Sequence, residues 1–425
     1  MVVLALGHST DVRAAETDLS LAGVNAKIAR SGYFPSLQAS ANVGADGLPG
    51  VQVGVTQTLY DWHETSAKVD EAAAKSEVAR FNLAAKREEV ALDAAKAYIA
   101  LKRHEAHVEA AEANLTAHDR INTLARERAS GGVGDASEVE RAGVNMGEAE
   151  STLEDVRGAL RDAQSVFVSR IGRQPTSLAL VPELPLTIAD ITDVRKAVAN
   201  APAVAAAYAE GLAAEHAARS ERASLFPKLT AEVQFRATEG VSNSNPAFML
   251  RLRSPTYAGL SAVDQVASAE LKVERANTSA ETASRKAVDD VLAFKDRVPT
   301  LRNRLSILRT QLDRAEALRD LYEEQFTLGD RSLNDLISVQ SDVYRIERTL
   351  IEARYDMLDL QYGAAAALGR LQEMLAKVKD VRPQPDRVRP ARRLPAESAP
   401  DRRPASGTLS GLFSSLVLRG SLSPR

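Results

Sequence analysis

The polar and apolar positions of this chain alternate in two different rhythms, and the rhythms change over twice. After a helix-like stretch from about Asp11 to Ser31, stopped by Gly32 and Pro35, the period drops to two. Leu37, Ala39, Ala41 and Val43 fall on one side and Gln38, Ser40 and Asn42 on the other. A Gly/Pro loop from Gly44 to Gly50 follows, and Val51, Val53 and Val55 then alternate with Gln52, Gly54 and Thr56 as far as Tyr60. This predicts a β-hairpin over 37–59. From Asp61 to Ser130 there is neither proline nor glycine, enough for roughly 100 Å of continuous α-helix. Gly131-Gly132 breaks it, and a returning helix is predicted over 137–171.

The second half repeats the order. Leu229, Ala231, Val233 and Phe235 oppose Thr230, Glu232, Gln234 and Arg236, a loop runs from Thr238 to Asn245, and Phe248, Leu250 and Leu252 oppose Met249, Arg251 and Arg253. A hairpin over 229–253 leads to a long helix over 260–328, with a kink expected at Pro299. After a turn at Gly329 comes a returning helix over 333–368. There, Leu336, Val339, Val343, Ile346, Leu350, Ala353, Met357 and Leu360 step by threes and fours without a break, the stripe of an antiparallel or coiled-coil seam. Leu301, Leu305, Leu308, Leu312 and Ala315 supply a matching stripe on the preceding helix.

The halves are copies. Tyr33-Phe34-Pro35-Ser36-Leu37 returns as Leu225-Phe226-Pro227-Lys228-Leu229, while Tyr60 and Tyr257, Gly132 and Gly329, and Gly172 and Gly369 are each separated by 197 residues. The predicted organisation is therefore a first repeat over 1–172, a connector over 173–199 with room for a short strand, a second repeat over 200–371, and a disordered tail over 372–425. Seven prolines, nine arginines and three acids between Val381 and Arg425 give the tail its character.

Composition narrows the chemistry. Aromatics make up 4% of the 425 residues, so packing must run through long helical seams rather than one large globular core. A net charge of −3 gives no reason to expect a nucleic-acid partner, and the absence of cysteine rules out disulfides and thiolate metal sites. No run of 18 apolar residues predicts a transmembrane helix. His104, His107 and His118 are read as solvated helix-surface histidines rather than zinc ligands. Gly131-Gly132-Val133-Gly134 does not follow a strand, so it is no phosphate loop. The expectation is of no enzyme, no cofactor and no metal.

Each strand has the length that crosses a bilayer when tilted, with one apolar and one polar face. Four strands are too few to close a barrel, and unpaired edges are not tolerated in lipid. Membrane strands would thus require oligomers, two copies giving 8 strands and three giving 12. On pattern alone, two soluble hairpins capping a helical rod remain an equal reading. At the turns, Ser137 or Ser332 is placed to cap its returning helix, and Glu138 and Asp335 occupy equivalent first-turn positions.

Taken in order, the tandem halves, the Phe-Pro-x-Leu start of each hairpin, Leu59-Tyr60-Asp61, and Gly329-x-Arg331-Ser332-Leu333-x-Asp335-Leu336 resemble the TolC-like outer-membrane efflux and secretion channels, over about Val2 to Leu371. The last motif is nearest the type I secretion branch. The resemblance implies a mainly α fold with a small β part. Long tandem helical hairpins would form a periplasmic tunnel, and four strands per chain would join a trimeric 12-stranded transmembrane barrel in outer-membrane lipid. It implies a passive conduit for type I protein secretion or multidrug efflux, a homotrimer engaged by a periplasmic adaptor (membrane fusion protein) and an inner-membrane transporter of ABC or RND type. It further implies a gate at the periplasmic turns. Arg331 matches the family's turn arginine, Glu138 its acidic partner and Asp335 one ring acid; Ser338 stands where a second ring acid is usual and Phe326 where a tyrosine is usual, and Gly132 and Gly329 are the turn glycines. It also implies that a signal peptide and a short segment precede Met1. The alternative reading is a soluble periplasmic coiled-coil scaffold or adaptor.

Overall fold

The computed structural model describes residues 1–43, 49–175, 179–184, 186, 194–238, 246–255 and 261–378. The expected hairpin loops at 44–48 and 239–245, Tyr257, and the Arg/Pro-rich tail beyond residue 378 lie outside the described residues.

The chain forms α1 (Val2–His8), α2 (Thr10–Ser31), β1 (Ser36–Val43), β2 (Pro49–Tyr60), α3 (Glu64–Ser130), α4 (Ala136–Ile171), α5 (Val194–Ala199), α6 (Pro202–Ser224), β3 (Lys228–Thr238), β4 (Ala247–Arg253), α7 (Ser261–Leu328), α8 (Leu333–Ala367) and α9 (Leu371–Val378). The four strands make one antiparallel sheet in the order β1-β2-β3-β4. Its register keeps the two faces separate. Leu37 pairs with Val55, Val55 with Val233 and Val233 with Phe248, while Thr56 pairs with Glu232 and Thr230 with Arg251. Because antiparallel partners share a face, apolar rows run across all four strands. That apolar face is left open, with Leu37, Phe248, Leu250 and Leu252 each about 70% exposed or more.

The long helix begins at Glu64, not at Asp61. Trp62 and His63 take left-handed backbone angles (φ 56° and 70°), so the helix cannot propagate through them. The Asp61 carboxylate instead reaches forward to accept from the Thr65 backbone N–H (2.8 Å) and hydroxyl (2.5 Å), supplying a partner to an otherwise unpaired first-turn donor. Trp62 is fixed from the other repeat: its Nε1 donates to the Pro227 carbonyl at 2.9 Å, and its ring lies 4.9 Å from that of Phe226. Buried Glu64 bridges Lys68 (2.7 Å) and Lys228 (2.5 Å), tying α3 to the first residue of β3.

Helix α3 packs against α2, α4, α6 and α8, and α7 against α6 and α8. Alanine permits this density: Ala91, Ala94, Ala95, Ala97, Ala110, Ala111 and Ala125 of α3 are all buried, and a methyl side chain lets neighbouring backbones approach without a rotamer cost. The main core joins Ile99, Val204, Val291, Phe294, Val298 and Leu305 to the seam of α8. Of that seam, Leu336, Val339, Val343, Ile346, Ala353 and Met357 are buried, with Leu350 and Leu360 packed at its margin. Helix α7 runs through Pro299 as one element.

Two expectations are corrected here. Among its described residues the connector holds no strand; it contributes Leu184 and Leu186 to the core and ends in helix α5. The segment from 372 is not disordered at its start. Residues Leu371–Val378 form α9, and Leu371 and Met374 are buried. The reason is tertiary. The buried Glu88 carboxylate on α3 accepts from the Leu371 N–H (3.0 Å), the Gln372 N–H (3.4 Å) and the Gln372 side chain (3.0 Å), capping α9 from a distance that no local pattern records.

Candidate gate at the helical turns

At one end of the helical hairpins two turns meet. Residues 131–135 link α3 to α4, and residues 329–332 link α7 to α8. Both turn glycines take left-handed angles, Gly132 at φ 76° and Gly329 at φ 88°, and so do Gly172 and Gly369 at the far ends of the returning helices. The sequence repeat at these four positions is thus a repeat of backbone conformation, which glycine adopts without penalty. The turns lie side by side: a Cβ on Gly329 would stand 3.9 Å from Val133 Cγ1.

The two returning helices are capped by different residues. Ser332 caps α8; its hydroxyl oxygen accepts from the Asp335 N–H (3.3 Å) while the hydroxyl donates to the Asp335 carboxylate (2.9 Å). In α4 the cap is Asp135, not Ser137. Asp135 accepts from the Glu138 N–H (2.9 Å) and from the Ser137 hydroxyl (2.6 Å), because the helix starts one residue earlier, at Ala136. Glu138 and Asp335 therefore sit at the same first-turn position of their helices.

Within one chain Arg331 does not pair with Glu138. Its Nε donates to Gln325 Oε1 at 2.9 Å, its guanidinium lies 4.3 Å from the centre of the Tyr322 ring, and Asp335 is at 4.0 Å. The Glu138 carboxylate folds back over Gly134, where any side chain would meet its Oε2 at 2.9 Å. That Oε2 is buried with no hydrogen-bond partner. Phe326 is fully buried at the centre of a small core with Ile121, Ala125, Ala142, Leu333, Leu336 and Val339, and the Arg128 guanidinium covers its ring at 4.2 Å. Ser338 is exposed on α8, about one turn beyond Asp335.

Polar bridges hold the hairpins together across this end. Arg120 pairs with Glu323, and Arg141 Nη1 donates to Asn334 Oδ1 at 2.5 Å. None of Arg120, Arg128, Arg141, Tyr322, Gln325, Glu323 or Asn334 stands out by motif. The repeat does carry a signal for three of them, since Arg128 and Gln325 occupy equivalent positions, as do Arg141 and Ser338. The copies differ where the two turns have to contact each other.

Away from the turns the histidines depart from expectation. His107 and His118 are buried rather than solvated. His107 Nε2 lies 2.8 Å from Glu352, within a cluster where Arg103 meets Glu352 (3.2 Å), Asp356 (3.1 Å) and Asp359 (2.8 Å). Burial holds His118 below the ordinary histidine range, only partly offset by Glu148. Among the described residues no group of three His, Asp or Glu side chains is placed to hold a metal.

Tandem antiparallel helical hairpins, each launching a membrane-length β-hairpin into one sheet with an open apolar face, define a class: outer-membrane channel proteins with a periplasmic helical extension. The chain belongs to the outer membrane efflux protein family, whose sequence pattern matches residues 1–172 and 194–370. It is similar to the outer membrane efflux protein BepC of Brucella suis biovar 1 (strain 1330), 20% identical over 387 residues that cover 87% of this chain and 84% of that protein. Among solved structures it shares its fold with a membrane protein from Pseudomonas aeruginosa (TM-score 0.78, 18% identity, 87% of this chain and 89% of that one). The outer membrane protein VceC from Vibrio cholerae is similarly close (TM-score 0.76, 18% identity, 87% and 95%). The chain is accordingly an efflux channel of the outer membrane. The family match does not single out the type I secretion branch.

Proposed function

We propose that three copies of this chain close one 12-stranded barrel and one helical tunnel, forming the passive outer conduit of a tripartite export system. A periplasmic adaptor and an inner-membrane transporter would engage it at the turn end. One observation carries this reading: the outermost elements are unfinished in the same order at both levels. The sheet ends at β1 on one side and β4 on the other, and edges bare of partners cannot persist in lipid. The helices continuing from the strands follow suit, α2 from β1 and α7 from β4, with α3 and α6 packed between them. Leu21, Val24 and Ile28 of α2 and Val263 and Leu271 of α7 are exposed. A neighbouring copy that brings its α2 and β1 to α7 and β4 would cover strand edge and apolar stripe together.

In this reading Arg331 and Glu138 form a latch between copies. The orphaned Glu138 Oε2 supports it, since a buried carboxylate oxygen without a donor is costly. Asp335 is the filter acid, already engaged by Ser332 and near Arg331; with Ser338 neutral, the constriction is less acidic than two rings of acids would make it. The direct test is fractionation of the full-length protein, expected as a heat-modifiable trimer in outer membranes; a monomer in the soluble fraction sinks the proposal. Replacing Glu138 with Arg should raise single-channel conductance in planar bilayers, and unchanged conductance would count against the latch.

A further inference from the structure

Every charge of the sheet comes from its second hairpin. Strands β1 and β2 contain no Lys, Arg, Asp or Glu, whereas β3 and β4 contain Lys228, Arg236, Arg251 and Arg253 against one acid, Glu232. The register pairs Lys228 with Arg253, Thr230 with Arg251 and Glu232 with Met249, so Lys228, Arg251, Arg253 and Glu232 all belong to the polar face. On that face the charges do not cancel. Lys228 is matched by Glu64 at 2.5 Å. Glu232 is buried beneath two guanidiniums, Arg251 at 3.5 Å and Arg253 at 3.6 Å. A single carboxylate cannot neutralise both, and the two arginine side chains stay 43% and 67% exposed. The strand that a neighbouring copy would bring beside β4 offers Ser36, Gln38, Ser40 and Asn42 on the same face, so that strand supplies no compensating acid.

We propose that Arg251 and Arg253 form a cationic collar in the lumen of the membrane barrel, at the mouth where its strands join the helices, making the barrel selective for anions and for cargo bearing anionic groups. The inference rests on the trimeric-channel reading, which places the polar face inward because the apolar face is the one open to lipid. Charges lining a narrow lumen with low-dielectric walls focus their field into it, and at physiological salt they act over about 8 Å. Three copies would repeat the excess around one ring. The acids of the turn end lie the length of α3 away from this collar, roughly 100 Å of helix, far beyond the screening distance.

The test is the reversal potential of the full-length protein in planar bilayers under a KCl gradient. The wild type is expected to favour chloride at low salt, with the preference fading in 1 M KCl, where screening shortens to about 3 Å. The double variant R251Q/R253Q should lower the chloride-to-potassium permeability ratio by roughly threefold or more. R253Q alone, which leaves Arg251 to hold Glu232, should shift it partway in the same direction. If the double variant fails to assemble, R253Q and the salt dependence of the wild type decide. Conducting variants with an unchanged ratio, or a wild type without chloride preference at low salt, overturn the collar. A wild type that forms no conducting pore overturns the channel reading beneath it.

Discussion

The behaviour of single residues here is set by what the fold packs against them. Glu347 of α8 is pushed above its ordinary value of 4.5 first by burial and then by the carboxylates of Glu316 on α7 and Glu109 on α3, with Arg319 only partly offsetting them. A carboxyl whose folded pKa is raised favours the folded state most when protonated. Its contribution is complete below the unfolded pKa and is lost as pH rises through the folded one. At neutral pH, above the unfolded value, the Glu347 carboxyl therefore works against the fold. Glu347→Gln should raise the melting temperature at pH 7 by roughly 1–2 °C and give no gain near pH 4. A gain of equal size at both pH values would assign the effect to something other than ionisation. The turn carboxylates show the same dependence on context. Glu138 and Asp335 are equivalent in the repeat, yet Asp335 is tied to Ser332 and Arg331 while Glu138 folds over Gly134. Position in the sequence marks both; only the packing of the turns separates their roles.

At the scale of elements, pattern foretold the regular parts and missed the ends. The uninterrupted heptad from Leu336 to Leu360 is the seam of α8, since a stripe recurring on one helical face has to be buried somewhere. The start of α3 was not legible, because two non-glycine residues, Trp62 and His63, hold left-handed angles against their intrinsic preference, with Trp62 fixed by contacts to Phe226 and Pro227 of the other repeat. Helix α9 was equally hidden, its cap coming from Glu88. At the turn end, the element that holds both hairpins is the small core around Phe326. Phe326→Ala should cost about 3–5 kcal/mol and loosen both turns, seen as a lower melting temperature and faster tryptic cleavage after Arg128 and Arg331. Unchanged cleavage would show that the polar bridges, Arg120 to Glu323 and Arg141 to Asn334, suffice to hold this end.

For the whole molecule, what matters is what one copy leaves uncovered. The exposed stripe of Leu21, Val24 and Ile28 on α2 is the helical counterpart of the free β1 edge. Introducing a charge with Val24→Glu should abolish the heat-modifiable trimer on gels without altering the helix content measured by circular dichroism. A trimer that survives would move the contact between copies away from α2. The sequence by itself determined the duplicated architecture, the two hairpins, the long helices and the glycine turns, because period, breakers and left-handed glycines are local constraints that each half states independently. Tertiary structure alone decided which polar groups meet: Arg331 with Gln325 and Tyr322 rather than Glu138, Arg103 with three acids of α8, and Glu232 beneath two arginines. Most of these partners lie on different elements, and the strength of an ion pair or a capping bond depends on distance and burial, which no periodicity along the chain encodes.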